Sequence, residues 1–397
     1  MVTIVVVGVG ADGPDGLSPS ATAEIAACDV LIGARRQLDL LPEGDFRKVL
    51  WPSPLLPALD SVLAEHEGRR IVVLASGDPL HHGIGTTLVN RLGADRVRIV
   101  PALSSSTLAR ARLGWSAEET AVVSAVARSP YRVLAAVGDG RKVLVLSGDA
   151  STPATIAGLL TEAGFGASTL TVLEELGGPS ERQVSGTAAG WNEPEGAALN
   201  VVAIDCAGDH PLRLLAGLPD NAFEHDGQLT KRDVRASALA RLSPSPGELL
   251  WDVGAGAGSV AIEWARAHPA NRAIAVEADE TRAARIQRNA RRLGVPDVRA
   301  VTGRAPEALT GLGTPDAVFV GGGVGTPGLL ARCHAALPRA GRLVANAVTL
   351  EAEQALLAAY AEFGGELIRL SVEHAAPLGG LTGWKPARTI TQWSIST

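Results

Sequence analysis

The 397 residues suffice for two domains of ordinary size, each able to bury its own core. With 46% apolar and 20% charged residues, the composition is that of a globular chain and excludes an extended disordered one. A formal charge of -6 gives no broad basic face for nucleic acid, although a local group of Lys and Arg can still take an acidic small molecule.

The opening run MVTIVVVGVG lacks the basic leader of a signal peptide, and no apolar run approaches the roughly eighteen residues of a membrane span. Cys28, Cys206 and Cys333 stand far apart, without the spacing of a zinc site or a disulfide framework. These features predict a cytoplasmic chain with no metal and no membrane partner.

β-Branched runs recur along the first half: TIVVVGVG, RIVVLASG, RVRIVPA, KVLVLSG and LNVVAIDC, with Ala/Leu-rich stretches of helical spacing between them. This alternation predicts an α/β fold. Gly8, Gly10 and Gly13 have the spacing of a dinucleotide fingerprint, but Pro14, Gly16 and Leu17 continue the loop and helical spacing begins only near Ser18 and Pro19. No helix N-terminus then stands at the glycines to hold a pyrophosphate, and the next strand, DVLIG, ends in Gly33 where a ribose would need an acid. His81 and His82 are adjacent but lack Cys or carboxylate at ligand spacing, which argues against a metal. Ser104 to Ser106 lack a G-x-S-x-G elbow and read as the start of a helix.

The stretch from Asp205 to Asn221 gathers Gly, Pro and Asp and reads as a linker, with domains predicted over 1–208 and 218–397. Beyond it ELLWDVGAGAG, RAIAVEAD, VRAVTG, DAVFVGGG and GRLVANAV are strands at regular spacing and predict one doubly wound, Rossmann-like domain. In WDVGAGAGSVAIEW a strand ends near Asp252, and a loop of Gly254, Ala255, Gly256, Ala257 and Gly258 leads to a helix at Ser259. Such a loop lets backbone N–H groups approach a ligand. Glu277 ends the next strand, where a carboxylate can accept both hydrogens of a ribose diol. Gly303, Arg304 and Ala305 follow the third strand, in position to lie against an adenine. In DNAFEHDGQLTKRDVRASALAR, Thr230 is predicted as N-cap with Asp233 at the third helical position, and Val234, Ala238 and Leu242 as the apolar stripe. Lys231, Arg232 and Arg235 then project from the first turns, either as a solvated basic face or toward a ligand.

The D-x-G-x-G-x-G loop resembles motif I of class I S-adenosylmethionine (SAM)-dependent methyltransferases, many of which carry Asp where Arg304 stands. The first half is similar to the tetrapyrrole (corrin and porphyrin) methylases through the loop after its first strand, the LASGDPLHHGIG segment and the VPALSSSTLA segment. That resemblance implies a two-lobed α/β domain with SAM folded in a cleft lined by Pro14, Ser76, Gly77, Asp78, His81, Ser104 and Ser105. The DGQLTK-x-x-VR pattern resembles the leading helix of the cobalamin-pathway decarboxylating methyltransferases, which implies that Thr230 lies beside SAM and that Lys231 and Arg235 meet the tetrapyrrole. The tail LGGLTGWKPARTITQW adds Trp384, Lys385 and Arg388, an aromatic surface with cations suited to a flat polycarboxylate, although core packing serves Trp384 equally well.

In domain order the whole chain resembles the two-domain decarboxylating precorrin methyltransferases, departing from them at 125–128 and at Ala198. The resemblance implies methylation of carbons 5 and 15 of a precorrin-6 type tetrapyrrole, with loss of the ring C acetate carboxyl group, by a homo-oligomer. No Ser-His-Asp or Cys-His constellation is visible, and no catalytic residue is assigned. A nucleic-acid or protein methyltransferase would share the second domain, but VFVGGGVG stands where an N/D-P-P-Y/F motif belongs. A NAD-dependent oxidoreductase would rest on the first glycine loop alone.

Overall fold

A computed structural model describes residues 4–208 and 216–397. The described residues form two compact units, 4–130 with 137–208 and 131–136 with 216–397. Of the predicted linker, 209–215 lie outside the described residues; Asp205 closes a strand and Leu218 is already buried in the core of the second unit.

In the first unit, β1 (Ile4–Val9), β2 (Val30–Gly33), β3 (Arg47–Leu50), β4 (Ile71–Ser76) and β5 (Val97–Val100) form a parallel sheet in the order β3-β2-β4-β1-β5. All six residues of β1 are buried, as a central strand covered on both faces requires. The faces carry separate cores, one around Val5, Val7 and Leu31, the other around Val6, Ile32 and Leu59. Helix α1 (Pro19–Ala26) starts where the sequence predicts, with Ser18 accepting from the Ala21 N–H at 3.2 Å. Helix α2 (Arg35–Leu40) follows β2, and α3 (Ser105–Leu113) follows β5. A second, mixed sheet has the order β6-β7-β10-β8-β9: β6 (Thr120–Ser124), β7 (Lys142–Leu146), β8 (Thr169–Glu174), β9 (Arg182–Thr187) and β10 (Asn200–Asp205). The two-lobed α/β plan is present.

In the second unit, β11 (Leu249–Val253), β12 (Arg272–Glu277), β13 (Arg299–Thr302), β14 (Ala317–Val320) and β15 (Arg342–Ala347) are parallel, in the order β13-β12-β11-β14-β15. The sheet continues antiparallel: β19 (Ile390–Ser396) pairs with β15, and β16 (Glu366–Leu370) pairs with β19. An exposed hairpin, β17 (Glu373–Leu378) and β18 (Leu381–Pro386), stands between β16 and β19 in the chain. Helix α4 (Arg232–Leu242) precedes β11, α5 (Ser259–Ala267) follows it, and α6 (Glu280–Arg292) follows β12. Trp264, Ile286 and Leu242 pack one sheet face, and Trp251, Leu343 and Trp393 the other.

Candidate functional site

The carboxyl ends of β11 to β15 open into a cavity of about 1300 Å³, where ligands of parallel α/β sheets are expected to bind. Gly254, Ala255 and Gly256 of the glycine loop line it, with Glu277, Gly303, Arg304, Ala305, Thr230 and Lys231. The predicted residues thus come together, except that Ala257 and Gly258 lie behind the loop, where Ala257 is buried and Gly258 caps α5. The Gly256 backbone has φ +58°, and a Cβ there would lie 2.6 Å from the Gln228 carbonyl oxygen, so only glycine fits. That oxygen accepts from the Ala257 N–H at 3.1 Å, which ties the DGQLTK segment to the glycine loop.

Glu277 is buried, and its carboxylate accepts from the Gly256 N–H at 2.8 Å and the Asp279 N–H at 3.1 Å. Each oxygen keeps a further lone pair with which to accept from a diol. Gly303 is held to the same strand end, its N–H donating to the Glu277 carbonyl oxygen at 2.9 Å. Behind the loop, Asp252 is fully buried; burial, opposed by the Ala261 N–H and reinforced by the charge of Glu277, pushes its carboxyl group up to about 7. At the rim, Asp226 accepts from Arg282 at 2.9 Å and from the Gln228 N–H at 3.1 Å, and the Arg282 bond leads in holding it far below the usual carboxylate range. The segment before α4 is pinned by charge to α6.

Four expectations need correction. Thr230 is not the N-cap of α4: Lys231 holds that position, its ammonium cannot accept from a helix N–H, and the Asp220 carboxylate, 3.7 Å from that ammonium, takes the Arg232 N–H instead at 3.0 Å. The capping box with Asp233 does not form. Arg235 does not project toward a ligand. It is wholly buried, paired with Glu263, bonded to the Leu218 and Thr230 carbonyl oxygens, and stacked 4.9 Å from the Phe223 ring. Its place on the Val234, Ala238 and Leu242 side of α4 turns it inward. Finally, Trp384 and Lys385 do not share a surface, since neighbours in a strand point to opposite faces. Lys385 lies opposite His374, which lines the cavity, whereas Trp384 lies opposite Ala375 on the other face, 73% exposed and outside both core and cavity.

Sequence reasoning missed Gln228, Arg282, Gly321 to Gly323, Asn346 and His374, all of which line the cavity. For Asn346 a signal existed: one amide in the apolar run LVANA that follows Arg342.

In the first unit, β4, β1 and β5 are neighbours, and the loops after them press together. A Cβ on Gly8 would lie 2.0 Å from the Gly77 carbonyl oxygen and 2.7 Å from the Ala102 nitrogen. Ser76 accepts from Arg36 at 3.0 Å and from Gln37 at 3.1 Å. Burial draws the Arg36 guanidinium down from its ordinary value, and the Glu175 carboxylate opposes it. Asp78 closes its turn by accepting from the Leu80 N–H at 2.9 Å. Ser104 is the N-cap of α3, accepting from the Thr107 N–H at 3.1 Å, and Ser105 opens that helix. Ser106 links Ser104, at 2.8 Å, to His81, at 3.4 Å. Ser76, Gly77, Asp78, His81, Ser104 and Ser105 therefore share one region, while Pro14 is exposed on a single turn, Gly13–Gly16, that none of these bonds reaches.

Among the described residues, no group of three or more His, Cys, Asp or Glu is placed to hold a metal ion, and no helix is long and apolar enough to cross a membrane. The three cysteines are free and buried, which pushes Cys28 and Cys206 up to about 11 and Cys333 to about 12 and leaves them poor nucleophiles.

Residues 3–190 match the tetrapyrrole (corrin/porphyrin) methylases, and residues 221–397 match the precorrin methyltransferase domain. Over 398 residues the chain is 46% identical to precorrin-6Y C(5,15)-methyltransferase [decarboxylating] of Mycobacterium tuberculosis, with 99% of each chain covered. The chain belongs to the precorrin-6Y C(5,15)-methyltransferase (decarboxylating) family. Another member, from a Sinorhizobium species, is 46% identical, covering 98% of this chain and 95% of its own. The crystal structure of the C-terminal domain of precorrin-6Y C5,15-methyltransferase from Rhodobacter capsulatus, 46% identical, covers 47% of this chain and 100% of its own with a TM-score of 0.45.

Proposed function

We propose that the chain methylates carbons 5 and 15 of a precorrin-6 type tetrapyrrole from SAM and removes the carboxyl group of the ring C acetate, in cobalamin biosynthesis. The observation that carries this reading is the cavity of the second unit, in which a glycine loop, the Glu277 carboxylate and the Gly303 turn converge. They fit a nucleoside: Glu277 to accept from the ribose hydroxyls, Gly254, Ala255 and Gly256 to bring backbone against the ligand, and Gly303, Arg304 and Ala305 to face the base. Thr230 flanks this place. When bound, SAM supplies a methyl group already activated on a sulfonium, so what remains for the protein is mainly alignment, worth about 7 to 11 kcal/mol of a barrier. Lys231 and Arg388 on the cavity wall, with Lys385 on the cavity side of the hairpin, give cations for the substrate's carboxylates. Decarboxylation needs an electron sink, which the protonated conjugated imine of the macrocycle provides.

The domain over 1–208 is assigned the methylation of carbon 5, with Pro14, Ser76, Gly77, Asp78, His81, Ser104 and Ser105 about its SAM, and the domain over 218–397 the methylation of carbon 15 and the decarboxylation. The three free thiols support a reducing cytoplasm. Pairing into a homo-oligomer is tested by light scattering, which should give a multiple of 40.8 kDa. The deciding experiment incubates the protein with SAM and precorrin-6B and weighs the product: both methyl groups gained and one carbon dioxide lost is the expected result. A product with neither change overturns the reading.

A further inference from the structure

Strand β15 carries one polar side chain into its buried end. Asn346 is 9% exposed and lines the cavity, and the sheet register sets it opposite Gln392 of β19, which is fully buried. Gln392 Nε2 donates to Asn346 Oδ1 at 2.9 Å, Ser237 Oγ of α4 donates to Gln392 Oε1 at 2.9 Å, and Arg241 Nη1 donates to Ser237 Oγ at 3.0 Å. A guanidinium can only donate, so Ser237 accepts from Arg241 and gives its single proton to Gln392. With its oxygen taken by Ser237, Gln392 turns its NH2 to Asn346, whose oxygen accepts. The Asn346 NH2 is left facing the cavity, and among the described residues no group accepts from it.

Position in the sheet says which ligand it meets. Glu277 and Gly303 stand at the ends of β12 and β13, on one side of the glycine loop after β11; β15 lies on the other side, beyond β14. The nucleoside occupies the first side in the reading proposed above, so the donors of Asn346 address the half of the cavity left for the acceptor. His374 and Arg388 line that cavity as well. A neutral double donor at so buried a point can orient an anion without placing a second charge in the interior.

We infer that Asn346 is a substrate-binding residue of the second unit, donating through its carboxamide to a side-chain carboxylate of the tetrapyrrole, with Gln392 and Ser237 as positioning residues that fix its orientation. This inference rests on the proposed function. Its test uses the full chain and Asn346→Asp, which keeps the shape and the bond from Gln392 but replaces both donors by an anion. With precorrin-6B and SAM, KM for carbon dioxide release should rise about tenfold or more, while S-adenosylhomocysteine binding by calorimetry stays within about twofold of wild type. Asn346→Ala should raise KM in the same sense but less, and Ser237→Ala, outside the cavity, should raise KM mildly and leave kcat unchanged. An unchanged KM in folded Asn346→Asp and Asn346→Ala overturns the inference, as does a loss of S-adenosylhomocysteine binding in a folded variant. If neither Asn346 variant folds, an unchanged KM in Ser237→Ala overturns it. Wild-type protein that releases no carbon dioxide overturns the proposed function and the inference with it; an active wild type with indifferent variants overturns the inference alone.

Discussion

Glu277 serves two groups at once. Its carboxylate holds the Gly256 and Asp279 N–H groups, and its remaining lone pairs face the cavity. Glu277→Ala should therefore weaken SAM binding in the second unit by about 1 to 3 kcal/mol, since a buried donor is left unmet. Calorimetry of the full chain should show one of two sites weakened and the other unchanged; full affinity at both would mean that the diol pairs elsewhere. Asp252 gives the site a pH response of unusual sign. Burial raises its carboxyl group from 3.8 to about 7, so the folded state binds the proton more tightly than the unfolded state. Its contribution to stability is greatest below about pH 4, falls as pH rises toward about 7 and is lost above that. Urea midpoints at pH 5 and pH 8 should differ less in Asp252→Asn than in wild type, because the amide keeps the Ala261 N–H bond and carries no charge. An equal pH dependence in the two proteins would show that Asp252 is not the group responsible.

Helix α4 shows how one element can be read correctly as a helix and wrongly as a surface. Its apolar stripe, Val234, Ala238 and Leu242, is buried as its spacing requires. Arg235 sits beside Val234 at the edge of that stripe, and a sequence does not show that Glu263 waits beneath it. Arg235→Ala would leave the Glu263 carboxylate buried without its counter-charge, held only by the Gly217 and Leu218 N–H groups, which costs about 3 to 5 kcal/mol of stability. Chemical unfolding should register that loss. A variant with the wild-type midpoint but weak tetrapyrrole binding would return Arg235 to the substrate. The central parallel strands were legible for a related reason: buried on both faces, they are continuous β-branched or apolar runs such as IVVVGV and IVVLAS. Edge strands such as RKVL and RQVSGT, and the exposed hairpin after Ser371, bury too little to leave a pattern and were not foreseen. The glycine loop and Glu277 were legible because backbone approach and a diol acceptor demand particular residue types at a set spacing. Gln228 is tied to the glycine loop and to Asp226 through its backbone, which no residue type announces.

If each half of the chain is a separate catalyst, damage to one should spare the other. Asp78 holds the turn after β4 through the Leu80 N–H, so Asp78→Ala should loosen the loop against which Gly8 and Ser104 are packed and impair methylation of carbon 5. In the second unit, Gly256→Val places a branched side chain where even a Cβ lies 2.6 Å from the Gln228 carbonyl oxygen, in a backbone conformation that valine rarely adopts. The loop must move, and with it the bonds to Glu277 and Gln228, so methylation of carbon 15 and decarboxylation should both cease. Mass spectrometry of products made from precorrin-6B separates the cases: one methyl gained and one carbon dioxide lost for Asp78→Ala, at most one methyl and no such loss for Gly256→Val. Calorimetry with S-adenosylhomocysteine should agree, each variant keeping the site that the other loses. Asp78→Ala protein that remains folded yet no longer decarboxylates would mean that the two halves depend on each other for catalysis, and the division of labour would have to be abandoned.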